Sequence, residues 1–216
     1  MQVKVLVADD HGIVRAGLCA LLAAQPELLI VGEAITGRMA VSETLRLRPD
    51  VVVLDIAMPE LSGIEAARQI HSTLPAVAIV ILSMYATREH VTQALKAGAR
   101  GYVLKGAPGN ELIEGIIAAH AGQRYLSAKI PAQLIDDLLL AHAQATPAPL
   151  EQLSAREREI LQLVVEGKTS LEISQIVALS PKTVETYRSR LMQKLGIEDL
   201  PTLVKFALQQ GITTLD

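Results

Sequence analysis

Four apolar runs in the first half of the chain each end on a group that can take part in phosphoryl chemistry. Val5-Leu6-Val7-Ala8 leads into Asp9 and Asp10, and Val51-Val52-Val53-Leu54 into Asp55, with Met58 and Pro59 ending regular structure just behind it. Residues 77–82 lead into Ser83, and Tyr102-Val103-Leu104 into Lys105. Three carboxylates supply hard oxygen ligands, which suit Mg2+ with water completing its octahedron. The ammonium can neutralise a phosphoryl oxygen and the hydroxyl can hydrogen-bond another. Asp55 is then placed to attack phosphorus and become an acyl phosphate. Taken singly, each group has a plainer role: an Asp after a strand caps the next helix, Ser83 is a turn residue, Lys105 a solvated strand end. Only the joint placement carries the chemistry.

Such groups converge if the strands are parallel, because ligands of open parallel sheets bind beyond the carboxyl ends of the strands. The β-rich runs are 3–8, 28–34, 50–55, 76–82 and 100–104. Between them, apolar residues recur at helical spacing, as in Val14, Leu18, Leu21, Leu22 and later Val91, Ala94, Leu95. Five such units predict a doubly wound α/β fold, a five-stranded parallel sheet with helices on both faces. Right-handed crossovers are expected between its strands.

The 216 residues suit one large domain or two small ones. Half are hydrophobic but only 2 % aromatic, so the cores must be built from Val, Leu, Ile and Ala. A net charge of −3 leaves room for a local basic face that binds nucleic acid. The lone Cys19 has no internal disulfide partner and fits a reducing cytoplasm. Acids at Asp9 and Asp10 precede any long apolar stretch, so no secretory leader is expected. The longest segment free of Asp, Glu, Lys and Arg, 69–87, contains His71, Ser72, Thr73 and Pro75 and is no membrane span. Histidines 11, 71, 90, 120 and 142 show no metal-ligand spacing, and no zinc site is expected.

An extra helix is predicted over 130–140, followed by an uncharged Ala/Pro stretch, 143–149, that reads as linker. Beyond it, helix starts come in quick succession. Ser154 with Glu157 and Thr169 with Glu172 form capping boxes, and Ser180 precedes Pro181 at a first helical position. Gly167, Gly196 and Gly211 supply stops, and a last helix opens near Pro201. The domains are read as 1–125, a linker 126–149, and an all-α four-helix domain 150–216. At about 100° per residue, Val184, Leu191 and Leu195 fall on one face of the third helix with Tyr187 beside them. Lys182, Thr186, Ser189 and Gln193 lie opposite, flanked by Glu185 and Arg190, a polar face that suits a DNA groove.

The pair Asp9-Asp10, the segment 55–63, Ser83, and Gly101 through Lys105 resemble the receiver domain of bacterial two-component response regulators. From Leu153 onward the chain resembles the LuxR-type helix-turn-helix, and the combination is that of NarL/FixJ-type regulators. The resemblance implies the flavodoxin-like strand order 2-1-3-4-5 and transfer from a phosphohistidine of a sensor histidine kinase to Asp55. It implies Mg2+ held by Asp10 and Asp55, by Asp9 through water, and by the Ala57 carbonyl. Ser83 and Tyr102 correspond to the switch pair, in which the hydroxyl moves to the phosphoryl group and the ring follows inward. Glu185, Thr186 and Ser189 correspond to base-facing positions, and Lys182, Thr183, Arg188, Arg190 and Lys194 to phosphate contacts.

Three departures are visible. Many receivers carry proline directly after the lysine, where this chain has Gly106 and reaches Pro108 later; Ser170-Leu171 stands where Asn-Lys is frequent, and Tyr187 where histidine is. The expectation is a cytoplasmic, phosphorylation-controlled transcription factor that binds double-stranded promoter DNA as a homodimer, with residues 201–210 as dimer contact and no membrane partner. One rival is a haloacid-dehalogenase phosphatase, but the Asp it needs two residues after the nucleophile is Ala57. The other is a docking protein that never acts on DNA.

Overall fold

The computed structural model describes residues 2–130 and 149–213. The chain divides into two compact units near residue 138, and all but the first residue of the helix expected over 130–140 lies outside the described residues.

In the first unit, β1 (Val3–Ala8), β2 (Leu28–Ala34), β3 (Val51–Asp55), β4 (Ala78–Ser83) and β5 (Gly101–Leu104) alternate with α1 (Gly12–Ala23), α2 (Gly37–Leu47), α3 (Gly63–Thr73), α4 (Arg88–Lys96) and α5 (Gly109–His120). A two-residue strand, β6 (Tyr125–Leu126), follows. All neighbouring strands pair parallel in the order β2-β1-β3-β4-β5-β6. The 2-1-3-4-5 expectation is met and extended by one strand, too short to show any periodicity in the sequence.

Period-two alternation splits the core into two layers. Leu6, Ala8, Val52, Leu54, Ile79, Ile81 and Tyr102 face Ala40, Ala66, Ile70, Val91 and Ala94 of α2, α3 and α4. Val5, Val7, Val51, Val53, Ala78, Val80 and Val103 face Leu22 of α1 and Leu112, Ile116 and Ala119 of α5. Because both faces are covered, the inner strands read as unbroken Val/Ile/Leu runs. Burying each such side chain contributes about 1.5–3 kcal/mol, enough to offset the cost of a few buried charges at the strand ends.

The helix entries are specified locally. Thr36, Ser62 and Thr87 each accept a hydrogen bond from the backbone N–H three residues on. Beyond β6, the Ser127 N–H donates to the Tyr102 carbonyl (2.9 Å), and the Ser127 hydroxyl donates to buried Glu111 of α5. The Lys129 ammonium reaches the Gly106 carbonyl (3.3 Å), and Ile130 is buried in the same layer as Tyr102.

The second unit holds a 3-10 turn (Pro149–Gln152) and α6 (Ala155–Val165), α7 (Ser170–Ile176), α8 (Pro181–Leu195) and α9 (Leu200–Gln209). Both predicted capping boxes form, at Ser154/Glu157 and Thr169/Glu172. Ser180 caps α8 with Pro181 in its first turn, and Gly196 ends it in the left-handed conformation (φ 66°). Asp199 caps α9, one residue earlier than the Pro201 start suggested. Ile160, Leu163, Ile173, Val184, Leu191, Leu203 and Ala207 form the core of this unit.

Candidate functional site

Strand register brings the chemistry of the first unit together. Ala8 pairs with Leu54, Asp55 with Leu82, and Ser83 with Leu104, while the Lys105 N–H donates to the Ser83 carbonyl (2.8 Å). Asp9, Asp55, Ser83 and Lys105 therefore stand at one rim. The alternation that builds the two layers also sorts them. Asp9, Asp55 and Lys105 continue the rows that face α1 and α5, whereas Ser83 and Tyr102 belong to the rows facing α4.

The Lys105 ammonium bridges two carboxylates, 2.8 Å from Asp55 Oδ2 and 2.9 Å from Asp9 Oδ2. Asp9 Oδ1 accepts from the His11 N–H (2.9 Å). Arg15 donates to the Asp9 carbonyl (2.8 Å) and pairs with Glu33 (2.9 Å), so it positions the Asp9 backbone and leaves the carboxylate to the pocket. Burial pushes the Asp55 carboxyl up to about 6; the Lys105 bond and charge oppose this, and Asp9 and Asp10 add to it. Burial works against the Lys105 ammonium, but its bonds to Asp55 and Asp9 outweigh that and hold its pKa above the ordinary lysine value.

The donor set fits a hard divalent cation. Ligand atoms of Asp9, Asp10, His11 and Asp55 all lie within 4.8 Å of one another. Asp9 Oδ2 and Asp10 Oδ1 are buried and accept no well-aligned hydrogen bond, although the Lys105 and His11 nitrogens lie close to them. Oxygens left in that condition favour a cation. His11 was not expected here: ligand-spacing rules look for His and Cys pairs, and its neighbours in the pocket are aspartates.

The loop behind Asp55 is built to stay tight. Gly63 N–H donates to the Ile56 carbonyl (2.8 Å), and Glu60 sits in the left-handed region (φ 66°). A Cβ on Gly63 would lie 1.8 Å from the Asp55 carbonyl oxygen, so only glycine lets α3 start this close. Ala57, half-buried, lies within this loop.

Ser83 is buried and its hydroxyl accepts from the Tyr85 N–H (3.0 Å). Tyr102 is wholly buried, donates its hydroxyl to the Tyr85 carbonyl (2.7 Å), and has its pKa pushed up to about 12 by that burial. The inward ring position is thus the one seen in this structure. The Tyr85 carbonyl that holds it carries no signal in the sequence, because any residue offers one.

In the second unit, α8 buries Val184 and Leu191 and leaves Lys182, Glu185, Thr186, Ser189 and Arg190 exposed, as its pattern predicts. Three other expected DNA contacts are engaged within the unit. The Thr183 hydroxyl meets that of Ser180 in the cap (2.8 Å), and Arg188 donates to Ser170 of α7 (3.2 Å). Lys194 lies 2.7 Å from Glu157 and 3.3 Å from the Gln152 carbonyl. Burial tends to raise the Glu157 carboxyl, but Lys194 and the Ser154 cap together hold it below the ordinary value. Of the departures noted above, Leu171 is 60 % exposed and Tyr187 packs at the edge of the core.

No helix among the described residues is long and apolar enough to cross a membrane. Residues 5–117 match the family of response regulator receiver domains, and residues 151–207 match the bacterial regulatory proteins of the luxR family. The oxygen regulatory protein NreC of Staphylococcus carnosus is 35 % identical over 213 residues, 97 % of this chain and 98 % of that protein. The RcsB response regulator of Salmonella typhimurium aligns with a TM-score of 0.65 at 25 % identity, covering 99 % of each chain. RcsB of Salmonella enterica serovar Typhimurium, bound to promoter rprA in the presence of the phosphomimetic BeF3-, aligns with a TM-score of 0.62, 25 % identity and coverage of 95 % of this chain and 98 % of that one. These are families of transcription regulators rather than enzymes, and a receiver implies a kinase partner. Matched in both halves, in order and along nearly its whole length, the chain belongs to the two-component response regulators that join a receiver to a LuxR-type helix-turn-helix.

Proposed function

We propose that Asp55 accepts a phosphoryl group from the phosphohistidine of a sensor kinase and that this controls binding of promoter DNA by a homodimer through α8. The reaction breaks the P–N bond of the kinase and forms a P–O bond to Asp55, and the histidine keeps the electron pair. The observation that carries this reading is the Lys105 ammonium poised between Asp55 and Asp9 at the strand ends. With a pKa of about 6, Asp55 is ionised at neutral pH and nucleophilic, yet less solvated than a surface carboxylate. Lys105 orients it and is placed to follow charge onto a phosphoryl oxygen. Ser83, one strand over, offers a hydroxyl to another oxygen, and Tyr102 behind it reports that movement to the α4 side. Asp10, Asp55 and the Ala57 carbonyl would hold Mg2+ directly and Asp9 through water, and the ion would neutralise phosphoryl charge when bound.

On α8, Glu185, Thr186 and Ser189 are the base-facing side chains, and exposed Lys182 and Arg190 contact phosphates. Thr183 and Arg188 serve mainly to fix the helix-turn-helix, given their bonds to Ser180 and Ser170. The exposed side of α9, around Leu200, is the dimer contact of this unit. The protein acts in the cytoplasm, where kinase and promoter are both within reach.

The test compares oligomeric state and promoter affinity with and without a small-molecule phosphodonor, in wild type and Asp55→Ala. Tighter binding and dimerisation are expected in wild type alone. A phosphodonor response that survives in Asp55→Ala overturns the reading.

A further inference from the structure

His11 is an unusual residue at the start of α1. Its backbone takes the N-cap position, but its side chain makes no capping bond, although Ser, Thr, Asp or Asn there would add about 1 kcal/mol. The imidazole turns into the acidic pocket instead. Its Nδ1 lies 2.8 Å from Asp10 Oδ1 and 3.5 Å from Asp9 Oδ1, and the His11 N–H is fixed on Asp9 Oδ1. Two ligand atoms sharing one ion at bonds of about 2.1 Å can be no more than about 4.2 Å apart. The four ligand atoms of Asp9, Asp10, His11 and Asp55, all within 4.8 Å of one another, are close to that limit. The His11 side chain is 58 % exposed and has room to adjust its ring. Ligation through Nδ1 uses the neutral ring with its proton on Nε2.

We infer that His11 is a further ligand of the ion site, through Nδ1, and that it biases the site toward borderline divalent ions such as Co2+, Ni2+ and Zn2+. This rests on the acidic pocket being an ion site, as proposed above. Imidazole strengthens binding of those ions, whereas Mg2+ takes oxygen ligands and keeps its own water. The site then discriminates between cations by one nitrogen, and the three carboxylates alone would accept either kind.

The experiment titrates the full-length protein with Co2+ and with Mg2+ by calorimetry, in wild type, His11→Ala and Asp10→Asn. Co2+-loaded samples are also examined by NMR for a paramagnetically shifted, exchangeable imidazole N–H. In His11→Ala the preference for Co2+ over Mg2+ is expected to fall by about tenfold or more, with Mg2+ affinity little changed and the shifted proton lost. An unchanged preference together with a shifted proton that persists in His11→Ala overturns the inference. If Asp10→Asn abolishes both ions while His11→Ala alters neither, only the role of His11 fails. If wild type binds neither ion, the ion site itself fails and the inference with it.

Discussion

Lys105 Nζ and Asp55 Oδ2 are 2.8 Å apart, and the same ammonium reaches Asp9 at 2.9 Å. One cation therefore compensates two buried carboxylates, with Asp10 close by. The compensation is incomplete, which is why the Asp55 pKa stays above its ordinary value despite the ion pair.

A pH dependence follows. Between the ordinary 3.8 and about 6, folded Asp55 holds a proton that the unfolded chain has released. The contribution of Asp55 to the stability of the metal-free receiver is therefore greatest below that window and falls as pH rises through it, by at most about 3 kcal/mol. Urea unfolding of the receiver at a series of pH values in chelator measures this, and Asp55→Asn is expected to flatten the curve. Parallel curves for the two proteins contradict the assignment.

Lys194 and Lys182 are expected to respond in opposite ways. Lys194→Ala breaks the bond to buried Glu157 and is predicted to destabilise the helical unit by about 1 kcal/mol while leaving the salt dependence of DNA binding unchanged. Lys182→Ala, on the exposed face, is predicted to leave stability alone and to lower the salt slope by about one per protomer. Promoter titrations at several salt concentrations, beside thermal melts, separate the two. A lowered slope in Lys194→Ala returns that residue to the DNA surface.

Two glycines offer a paired test of the loop behind Asp55. Gly63→Ala drives a Cβ into the Asp55 carbonyl oxygen and is predicted to cost about 1–3 kcal/mol and to slow phosphodonor labelling. Gly17→Ala meets nothing within 4 Å on exposed α1 and is predicted to stabilise by about 0.5–1 kcal/mol. Equal effects of the two substitutions argue against a constrained loop.

The rim of acids and lysine was legible because apolar runs and their terminal polar groups are local patterns. The parallel pairing that joins them then follows from alternating strand and helix signals. The capping boxes at Ser154 and Thr169 were legible for the same reason. What could not be read depends on partners distant in sequence or on backbone atoms. The hold of the Tyr85 carbonyl on Tyr102 is of this kind, as is the Glu157 carboxylate beneath Lys194, 37 residues away. Along the sequence Lys194 counts with the other cations of α8, and only packing against α6 shows where its charge is used. Residues 131–148, including most of the predicted extra helix, lie outside the described structure.

Ile130 shares an apolar layer with Tyr102, and the bonds of Ser127 to Tyr102 and Glu111 tie in the segment before it. Excising the receiver at residue 125, where β–α alternation stops, would sever all of these and strip part of the apolar layer that holds Tyr102. An isolated fragment cut there would report on a damaged molecule, and its phosphorylation behaviour would not transfer to the intact chain. A cut that keeps these contacts around Tyr102 falls no earlier than after residue 130.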